Sequence, residues 1–395
     1  MKICVIAPAV LPILGKDQKY GGIETAVSVT VEEMVRRGHE VYLFASGDSI
    51  TSAKLVATTE KALGQSVSFD QEKAYNKKAY KLAIGLKPDV IWDNTYAIHA
   101  HDLRKNKSKY LYKADIVLRT EYLIDTGDIP VVQTLHGPAK DYLPKLMHDL
   151  SVSGHYFVSI SKDQARRYLK YLTGKQHLGT VYHTVDLDYF NVSEKPPTRN
   201  YLFWAGRYCM EKGPHIALEV AHRLGLPMVL LGKKAEPHEV AYYEKFVEPL
   251  LSKNDKTFES SLPVPEKIKL FQNAKATMMT NLWPEPFGIV LAESMACGTP
   301  VVGPALGSLS ELIDSAGALV PVDDLKLDEN DTEVSPSQLK YIDRIVKYMK
   351  NVDAIPASVP RKRAVYLFSP KHNVDGYEEA FGKAIYLKKN SANKT

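Results

Sequence analysis

Short apolar runs alternate with helical segments along most of the chain, and this alternation constrains the fold more than any other feature. The runs KICVIA, HEVYLFAS, PDVIWDN, PVVQTLHG and HYFVSIS are rich in the residues of strands that are buried on both faces. Strands that alternate with helices form βαβ units with parallel pairing. We therefore predict an α/β fold built on doubly wound parallel sheets.

The alternation stops between residues 185 and 200 and then resumes. This stretch is polar, carries Pro196 and Pro197 and has no sustained hydrophobic period, which is typical of an interdomain linker. Because 395 residues are many for one core, we predict two domains, residues 1–190 and 191–370. The second repeats the pattern in YLFWAGR, a helix near 214–224, PMVLLG, a helix within 237–253, ATMMTN, a helix at 288–297 and PVVG.

Charge, cysteine content and hydropathy exclude several classes of protein. A net charge of +5 is too small to indicate a nucleic-acid partner. Three widely spaced cysteines predict reduced thiols, and no apolar run reaches the roughly 18 residues of a membrane helix. We expect a cytoplasmic protein. The basic run 104–113 is either a solvated face or a contact with the anionic inner face of a membrane.

The stretch WPEPFGIVLAESMACGTPVVG, residues 283–303, has the pattern of a loop followed by a helix. Pro284 and Pro286 favour an extended loop, Gly288 gives freedom at the turn, and Gly298 ends the helix. The first amides of a helix lack internal acceptors and carry the positive end of its dipole. This tip is therefore a predicted phosphate site.

Two glutamates lie at this tip. Glu285 is in the loop, where its carboxylate could accept hydrogen bonds from sugar hydroxyls. Glu293 lies about one turn into the helix among small and apolar neighbours, so it needs a partner, and ribose hydroxyls are one candidate. The alternative interpretation is that Glu285 is an ordinary loop residue and that Glu293 is an exposed residue of the helix. The Pro and Gly frame around both leads us to favour the functional interpretation.

Arg207 and Lys212, in GRYCMEKG, would stabilise the charge of a departing nucleoside diphosphate without a metal. The alternative is a solvated loop with surface salt bridges. No acidic pair stands in a suitable loop, and the cluster His99-Ala-His101-Asp102 lacks an organised third ligand. We expect no metal and no required cofactor. The missing GxGxxG fingerprint counts against a dinucleotide oxidoreductase.

The stretch EPFGIVLAESMACGTPVV resembles the E-x7-E signature of glycosyltransferase family 4, whose members are retaining enzymes of the GT-B fold. The stretches YGGIE, TLHGP, FWAGRYCMEKGPHIALEVA and YLFSPKHNVDGYEEAF are similar to other elements of that family, so the resemblance covers nearly the whole chain. It implies two Rossmann-like domains facing each other across a deep cleft, with a C-terminal helix at about 371–395 returning to the first domain.

The resemblance also assigns roles to residues. Glu285 and His136 would act at the transferred sugar, and Leu262 would contact the base. The residues that would bind the donor diphosphate, sugar and ribose are Gly21, Gly22, Arg207, Lys212, Phe287, Gly288, Ile289, Val290 and Glu293. Two segments depart from the family pattern: His183-Thr184 stands where the family has Asn-Gly, and SSLPVPEK replaces the segment that shapes the base pocket.

The activity that this resemblance implies is transfer of a hexose, with retention, from a UDP- or GDP-sugar to an acceptor hydroxyl. The acceptor would be a sugar, a lipid-linked compound or a small molecule. Two alternatives stay open: a nucleotide-sugar-binding protein without transferase activity, and a sugar-nucleotide 2-epimerase. Slow donor hydrolysis without acceptor would favour a transferase, and formation of the epimer would favour the epimerase.

Overall fold

The computed structural model describes residues 1–18, 20–64, 67–95, 99–102, 115–118, 124–138, 154–172, 175–234, 236–325 and 334–392. The described residues form two compact units. The first unit takes in those within 1–102, 115–184 and 368–392, and the second those within 185–367. The boundaries lie a few residues before the predicted positions 190/191 and 370/371.

The first unit is built on a parallel sheet with the strand order β3-β2-β1-β4-β7-β8-β9. Each predicted strand of this half is present. The strands are β1 (Lys2–Ile6), β2 (Glu40–Ser46), β3 (Lys54–Thr59), β4 (Val90–Asp93), β7 (Val131–Leu135), β8 (His155–Ser159) and β9 (His177–Thr180), with β5 (His99–Asp102) and β6 (Asp115–Leu118) as a separate antiparallel pair. Its first helices are α1 (Gly22–Arg36), α2 (Phe69–Gly85) and α3 (Lys162–Tyr168).

The second unit repeats the architecture with the strand order β12-β11-β10-β13-β14-β15, again parallel. Its strands are β10 (Leu202–Arg207), β11 (Met228–Lys233), β12 (Lys256–Glu259), β13 (Ala276–Met278), β14 (Val301–Pro304) and β15 (Gly317–Val320). Its helices are α4 (Pro214–Arg223), α5 (Pro237–Tyr242), α6 (Val264–Asn273), α7 (Ile289–Ala296), α8 (Leu309–Leu312), α9 (Pro336–Tyr348) and α10 (Ser358–Phe368).

One predicted helix of the second unit is shorter than expected. The pattern within 237–253 predicts one helix, but α5 ends at Tyr242 and continues as a wider helical turn, Tyr243–Val247, and a tight turn, Glu248–Leu250. Pro249 lies in the last of these turns and has no N–H to donate to the carbonyl four residues before it, so a regular helix does not continue through it.

The last helix, α11 (Pro370–Ala392), belongs to the first unit. The Tyr377 ring lies 4.5 Å from that of Trp92, and its hydroxyl is 2.9 Å from the Thr134 hydroxyl. Arg37 on α1 donates to Asp375 at 2.8 Å. The helix therefore covers one face of the first sheet, where its aromatic side chains complete the core.

One sequence prediction concerns residues that lie outside the described ranges, namely the basic run 104–113. In the described ranges, no helix combines the length and the apolar character needed to span a bilayer.

Candidate active site

Helix α7 begins at the predicted turn, and its amino end reaches the surface of the second unit. Gly288 caps the helix at φ +84°, a left-handed conformation that disfavours a side chain, and glycine has no side chain that could accept from the first amides. Gly288, Ile289 and Val290 are half-buried, whereas the following turns are fully buried. The amides of the first turn, which lack intrahelical acceptors, are therefore at the accessible end of an otherwise buried helix.

Glu285 lies three residues before this tip and is held by three donors on a single oxygen. Its Oε2 atom accepts hydrogen bonds from Lys212 Nζ at 2.5 Å, Asn281 Nδ2 at 2.7 Å and Trp283 Nε1 at 3.1 Å. No donor from the described part of the chain contacts Oε1. These three hydrogen bonds fix the orientation of the carboxylate through one of its two oxygens.

Lys212 reaches Glu285 because the loops after two neighbouring strands, β10 and β13, meet. The Lys212 carbonyl accepts hydrogen bonds from Trp204 Nε1 at 3.3 Å and from the Thr280 hydroxyl at 3.2 Å. Its ammonium also lies 5.5 Å from the centre of the Trp283 ring. These contacts set the lysine at the carboxyl end of the sheet, the edge at which parallel α/β sheets bind ligands.

Arg207 forms an ion pair with a different carboxylate, that of Glu239. It is the last residue of β10, its side chain is 27% exposed, and its Nη1 lies 3.7 Å from Oε1 of Glu239 on α5. The adjacent strand places Lys233 beside it. Burial lowers the pKa of Lys233, an effect that Glu239 opposes and Arg207 reinforces. Two cations thus lie at the ends of the neighbouring strands β10 and β11, close to the buried carboxylate of Glu239.

Glu293 is buried and paired with a lysine that the sequence reasoning did not single out. The residue is 3% exposed, so the alternative of an exposed helix glutamate is wrong. Its Oε1 accepts a hydrogen bond from Lys267 Nζ on α6 at 2.6 Å. Its Oε2 is buried and has no donor among the described residues.

Two further residues implied by the resemblance have different surroundings. Phe287 is 2% exposed, and its carbonyl accepts a hydrogen bond from the Ser308 hydroxyl at 2.9 Å. Its side chain therefore packs in the core and supports the loop. Leu262 is half-buried just before α6, and its amide donates to the Glu259 carbonyl at 3.0 Å.

In the first unit, His136 follows β7 and contacts a second histidine. Its Nε2 lies 3.2 Å from Asn94 Oδ1, and its Nδ1 lies 3.4 Å from His183 Nε2. Burial lowers the pKa of His136 well below its usual range, with His183 adding to the effect, and it lowers the pKa of His183 to about 4. Both rings are neutral at pH 7. His183, where the sequence departs from the family pattern, is thus in contact with His136, the residue predicted to act at the transferred sugar.

The glycine pair of the first unit lies at the start of α1. Gly21 caps the helix at φ +109°, and Gly22 is its first residue. A Cβ atom at Gly21 would lie 2.5 Å from Oε2 of Glu24, so the Glu24 carboxyl packs directly over this turn. Burial raises the pKa of Glu24 to about 7.

Three side chains of the site were missed by sequence reasoning: Asn281, Trp283 and Lys267. The first two stand four and two residues before Glu285 in NLWPEPFG, and only the loop conformation turns their N–H groups onto its carboxylate. Lys267 reaches Glu293 through the packing of α6 on α7, which no local pattern encodes. No group of three or more His, Cys, Asp or Glu side chains within the described ranges is arranged to hold a metal ion.

Comparisons with known proteins show which proteins this chain is similar to. Residues 20–189 match the family model described as Glycosyltransferase Family 4, and residues 186–326 match the one described as Glycosyl transferases group 1. A D-inositol 3-phosphate glycosyltransferase of Mycolicibacterium smegmatis is 22% identical, covering 92% of this chain and 87% of that protein. One of Paenarthrobacter aurescens is 28% identical over 155 residues, and this match spans only 38% of its length.

The architecture is also shared with a solved structure, that of HepE of Anabaena in complex with UDP and glucose. The two chains are 16% identical, with a TM-score of 0.62 over 97% of this chain and 99% of the other. The two parallel α/β units are those of the GT-B fold, and the protein is a glycosyltransferase. Within that class, the chain belongs to glycosyltransferase family 4.

Proposed function

We propose that this enzyme transfers a hexose from UDP-hexose or GDP-hexose to an acceptor hydroxyl, with retention of configuration and without a bound metal. The observation that carries the proposal is the convergence of Lys212, Asn281 and Trp283 on one oxygen of Glu285, beside the accessible end of α7. A carboxylate held in this way offers its second oxygen to the hydroxyls of a sugar, while the helix end accepts a phosphate.

Charge complementarity supports a diphosphate donor. The bond between the anomeric carbon and the diphosphate breaks during transfer, and its electron pair leaves with the nucleoside diphosphate. Lys212 and the first amides of α7 would stabilise this developing charge, which is a function that a preorganised cation performs without a metal. Arg207, whose side chain is 27% exposed, would contribute if it exchanges Glu239 for the diphosphate.

Retention follows, in this proposal, from attack on the face that the diphosphate leaves. The acceptor oxygen bonds to the anomeric carbon, and the acceptor proton passes to a phosphate oxygen of the departing diphosphate. No side chain of the second unit needs to act as a nucleophile in this scheme. Three donors already occupy Oε2 of Glu285. The carboxylate would therefore use Oε1 to accept hydrogen bonds from the hydroxyl groups of the sugar and so orient it.

The donor and acceptor classes are supported by the similar proteins. HepE of Anabaena was solved with UDP and glucose, and the curated relatives named above use D-inositol 3-phosphate as their names indicate. We therefore include UDP-glucose among the donors to test first. Free hexoses, lipid-linked sugars and D-inositol 3-phosphate form the acceptor panel.

Thermal-shift measurements against UDP-, GDP- and ADP-sugars identify the donor, because a ligand that binds the native state raises the melting temperature. The chosen donor is then incubated with and without each acceptor, in the presence of EDTA, and the product anomer is read by NMR. The proposal expects slow donor hydrolysis alone, transfer with an acceptor and an unchanged anomeric configuration. An intact donor throughout would indicate a binding protein, and an epimerised donor would indicate a 2-epimerase.

A further inference from the structure

The strand order of the first unit predicts a ligand site that the proposed function has not used. The chain runs from β1 to β2 and β3 on one side of the sheet and from β4 to β7, β8 and β9 on the other, so its direction across the sheet reverses between β1 and β4. Open α/β sheets bind ligands at such a reversal, outside the carboxyl ends of the strands. The candidate site of the second unit follows this rule, because Lys212 comes after β10 and Glu285 after β13, the strands between which that sheet reverses.

Glu24 lies at the reversal of the first sheet, in the first turn of α1, the α-helix that follows β1. The residue is 6% exposed. A Cβ atom on Gly21 would lie only 2.5 Å from Oε2 of Glu24, so the glycine leaves the room that the carboxyl occupies. The φ of +109° at Gly21 also disfavours any larger residue. The turn and the carboxyl are therefore shaped together.

The Glu24 carboxyl has no partner within the described part of the chain. No hydrogen bond or ion pair joins it to another described residue, and its oxygens are not among the polar atoms that are sealed from solvent without a partner. The carboxyl thus keeps an edge that a ligand can reach. A largely buried carboxyl without a donor is costly for the folded protein, and hydroxyl groups of a ligand would supply the missing donors.

The surroundings of Glu24 disfavour an anionic ligand. Burial raises the pKa of Glu24 to about 7, and only its own backbone amide opposes this effect. No cation of the described ranges contributes to the shift, so a phosphate group bound here would face a carboxyl group without a compensating charge. Hydroxyl groups carry no charge and donate hydrogen bonds, and they are the ligand groups that fit.

We propose that Glu24 binds a hydroxyl group of the acceptor and selects unphosphorylated sugars or polyols over phosphorylated ones. This inference rests on the proposed function, because it requires transfer from a donor bound at Lys212 and the end of α7. It narrows the acceptor panel to uncharged compounds. The chain would then differ in its acceptor from the D-inositol 3-phosphate glycosyltransferases to which it is similar.

The test measures initial rates of transfer at pH 8 with three acceptor pairs: inositol and D-inositol 3-phosphate, glucose and glucose 6-phosphate, and mannose and mannose 6-phosphate. We expect kcat/KM of wild type to be at least about 10-fold higher for the unphosphorylated member of a pair that it uses. Glu24→Gln replaces a charge-assisted hydrogen bond by a neutral one, so the KM for this acceptor should rise by about 10-fold. The KM for the donor should not change.

Glu33→Gln is the matched control, because Glu33 lies on the same helix and pairs with Arg36 and Arg37. It should keep the wild-type KM for donor and acceptor. Loss of folding would not imitate the expected result, since Glu24→Gln should be at least as stable as wild type at pH 8, and unfolding curves check this. The preference of wild type within each pair is a second measurement that needs no variant.

A purely structural role for Glu24 would leave the KM for the acceptor unchanged in Glu24→Gln or would change the KM of donor and acceptor alike, and either result overturns the inference. A wild-type protein that prefers the phosphorylated members, or that hydrolyses its donor but uses no member of any pair, overturns the inference and leaves the proposed donor site in place. A wild-type protein that neither hydrolyses a donor nor transfers its sugar overturns both.

Discussion

The Nζ atom of Lys212 lies 2.5 Å from Oε2 of Glu285, and this ion pair joins the loops that follow two neighbouring strands. The two side chains are 20% and 10% exposed, so the pair is partly desolvated and its geometry is constrained. In the proposed reaction the lysine faces the leaving diphosphate and the carboxylate faces the transferred sugar. The ion pair between Lys212 and Glu285 would then link the binding of the diphosphate to the binding of the sugar.

Replacing Glu285 by glutamine tests the role of its carboxylate. Gln keeps the size of the side chain but lacks the charge that holds Lys212, and its amide cannot accept hydrogen bonds through both polar atoms. We expect kcat to fall by about 100-fold or more, in the range found for lost electrostatic groups at active sites. Initial rates of sugar transfer measure this, with the melting temperature as a control for folding. Transfer at near wild-type rate by this variant would remove Glu285 from the mechanism.

Trp283→Phe tests whether the indole N–H positions Glu285. Phenylalanine keeps an aromatic ring near Lys212 but removes the 3.1 Å hydrogen bond to Oε2. A hydrogen bond to a charged group contributes about 1.5–3 kcal/mol, so kcat/KM should fall by roughly 10- to 100-fold. The matched comparison is Trp92→Phe in the first unit, whose N–H donates to the Thr134 hydroxyl and contacts neither Glu285 nor Lys212. Equal effects of the two substitutions would argue against a specific role for Trp283.

Gly288→Ala tests the tip of α7. The residue has φ +84°, and an added Cβ would lie 3.0 Å from Met279 Cε, so we expect about 1–2 kcal/mol of destabilisation. Gly225→Ala is the matched control, because it also has positive φ, +66°, but no atom within 4 Å of the added Cβ. Denaturant unfolding measures the stability cost, and calorimetry with nucleoside diphosphates measures binding. Only Gly288→Ala should weaken binding. Equal affinities for the two variants would place the diphosphate elsewhere.

Glu24 makes the stability of the first unit depend on pH. Burial raises its pKa from 4.5 to about 7, so the folded protein favours the neutral acid. This contribution is complete below pH 4.5 and is lost as the pH rises through 7. Glu24→Gln, which stays neutral, should therefore match wild type near pH 4.5 and exceed its unfolding free energy by about 3 kcal/mol at pH 8. Unfolding curves at both pH values test this. A stabilisation independent of pH would contradict it.

The sequence predicts the central strands of both sheets well and the edges poorly. Strands such as β1 and β11 are buried on both faces and appear as uninterrupted apolar runs. The edge strand β12, KTFE, is largely exposed and carries no apolar run, and β3 at the edge of the first sheet is likewise half solvated. Without burial on two faces, no hydrophobic signal distinguishes these strands from loops.

In the site, the local sequence pattern predicts the positions of the α7 tip and of Glu285. It does not predict the side chains that orient the glutamates. The Pro and Gly frame of WPEPFG is a local signal, and it places Gly288 and Glu285 correctly relative to the helix. The partners Lys212 and Lys267 come from 73 and 26 residues away in the sequence. Such pairings depend on which loops the order of strands in the sheet brings together. No single segment of the sequence determines this order, so local patterns do not predict the pairings.

Binding of nucleoside diphosphates to Lys212→Met and Lys275→Met tests the central claim most directly. Both lysines lie in the second unit, both form ion pairs, and their side chains are 20% and 21% exposed. Calorimetry with UDP, GDP and ADP should show about 10- to 100-fold weaker binding of the preferred nucleotide to Lys212→Met. Lys275→Met should bind it as wild type does. Equal affinity of wild type and Lys212→Met would contradict a diphosphate site at Lys212 and the end of α7.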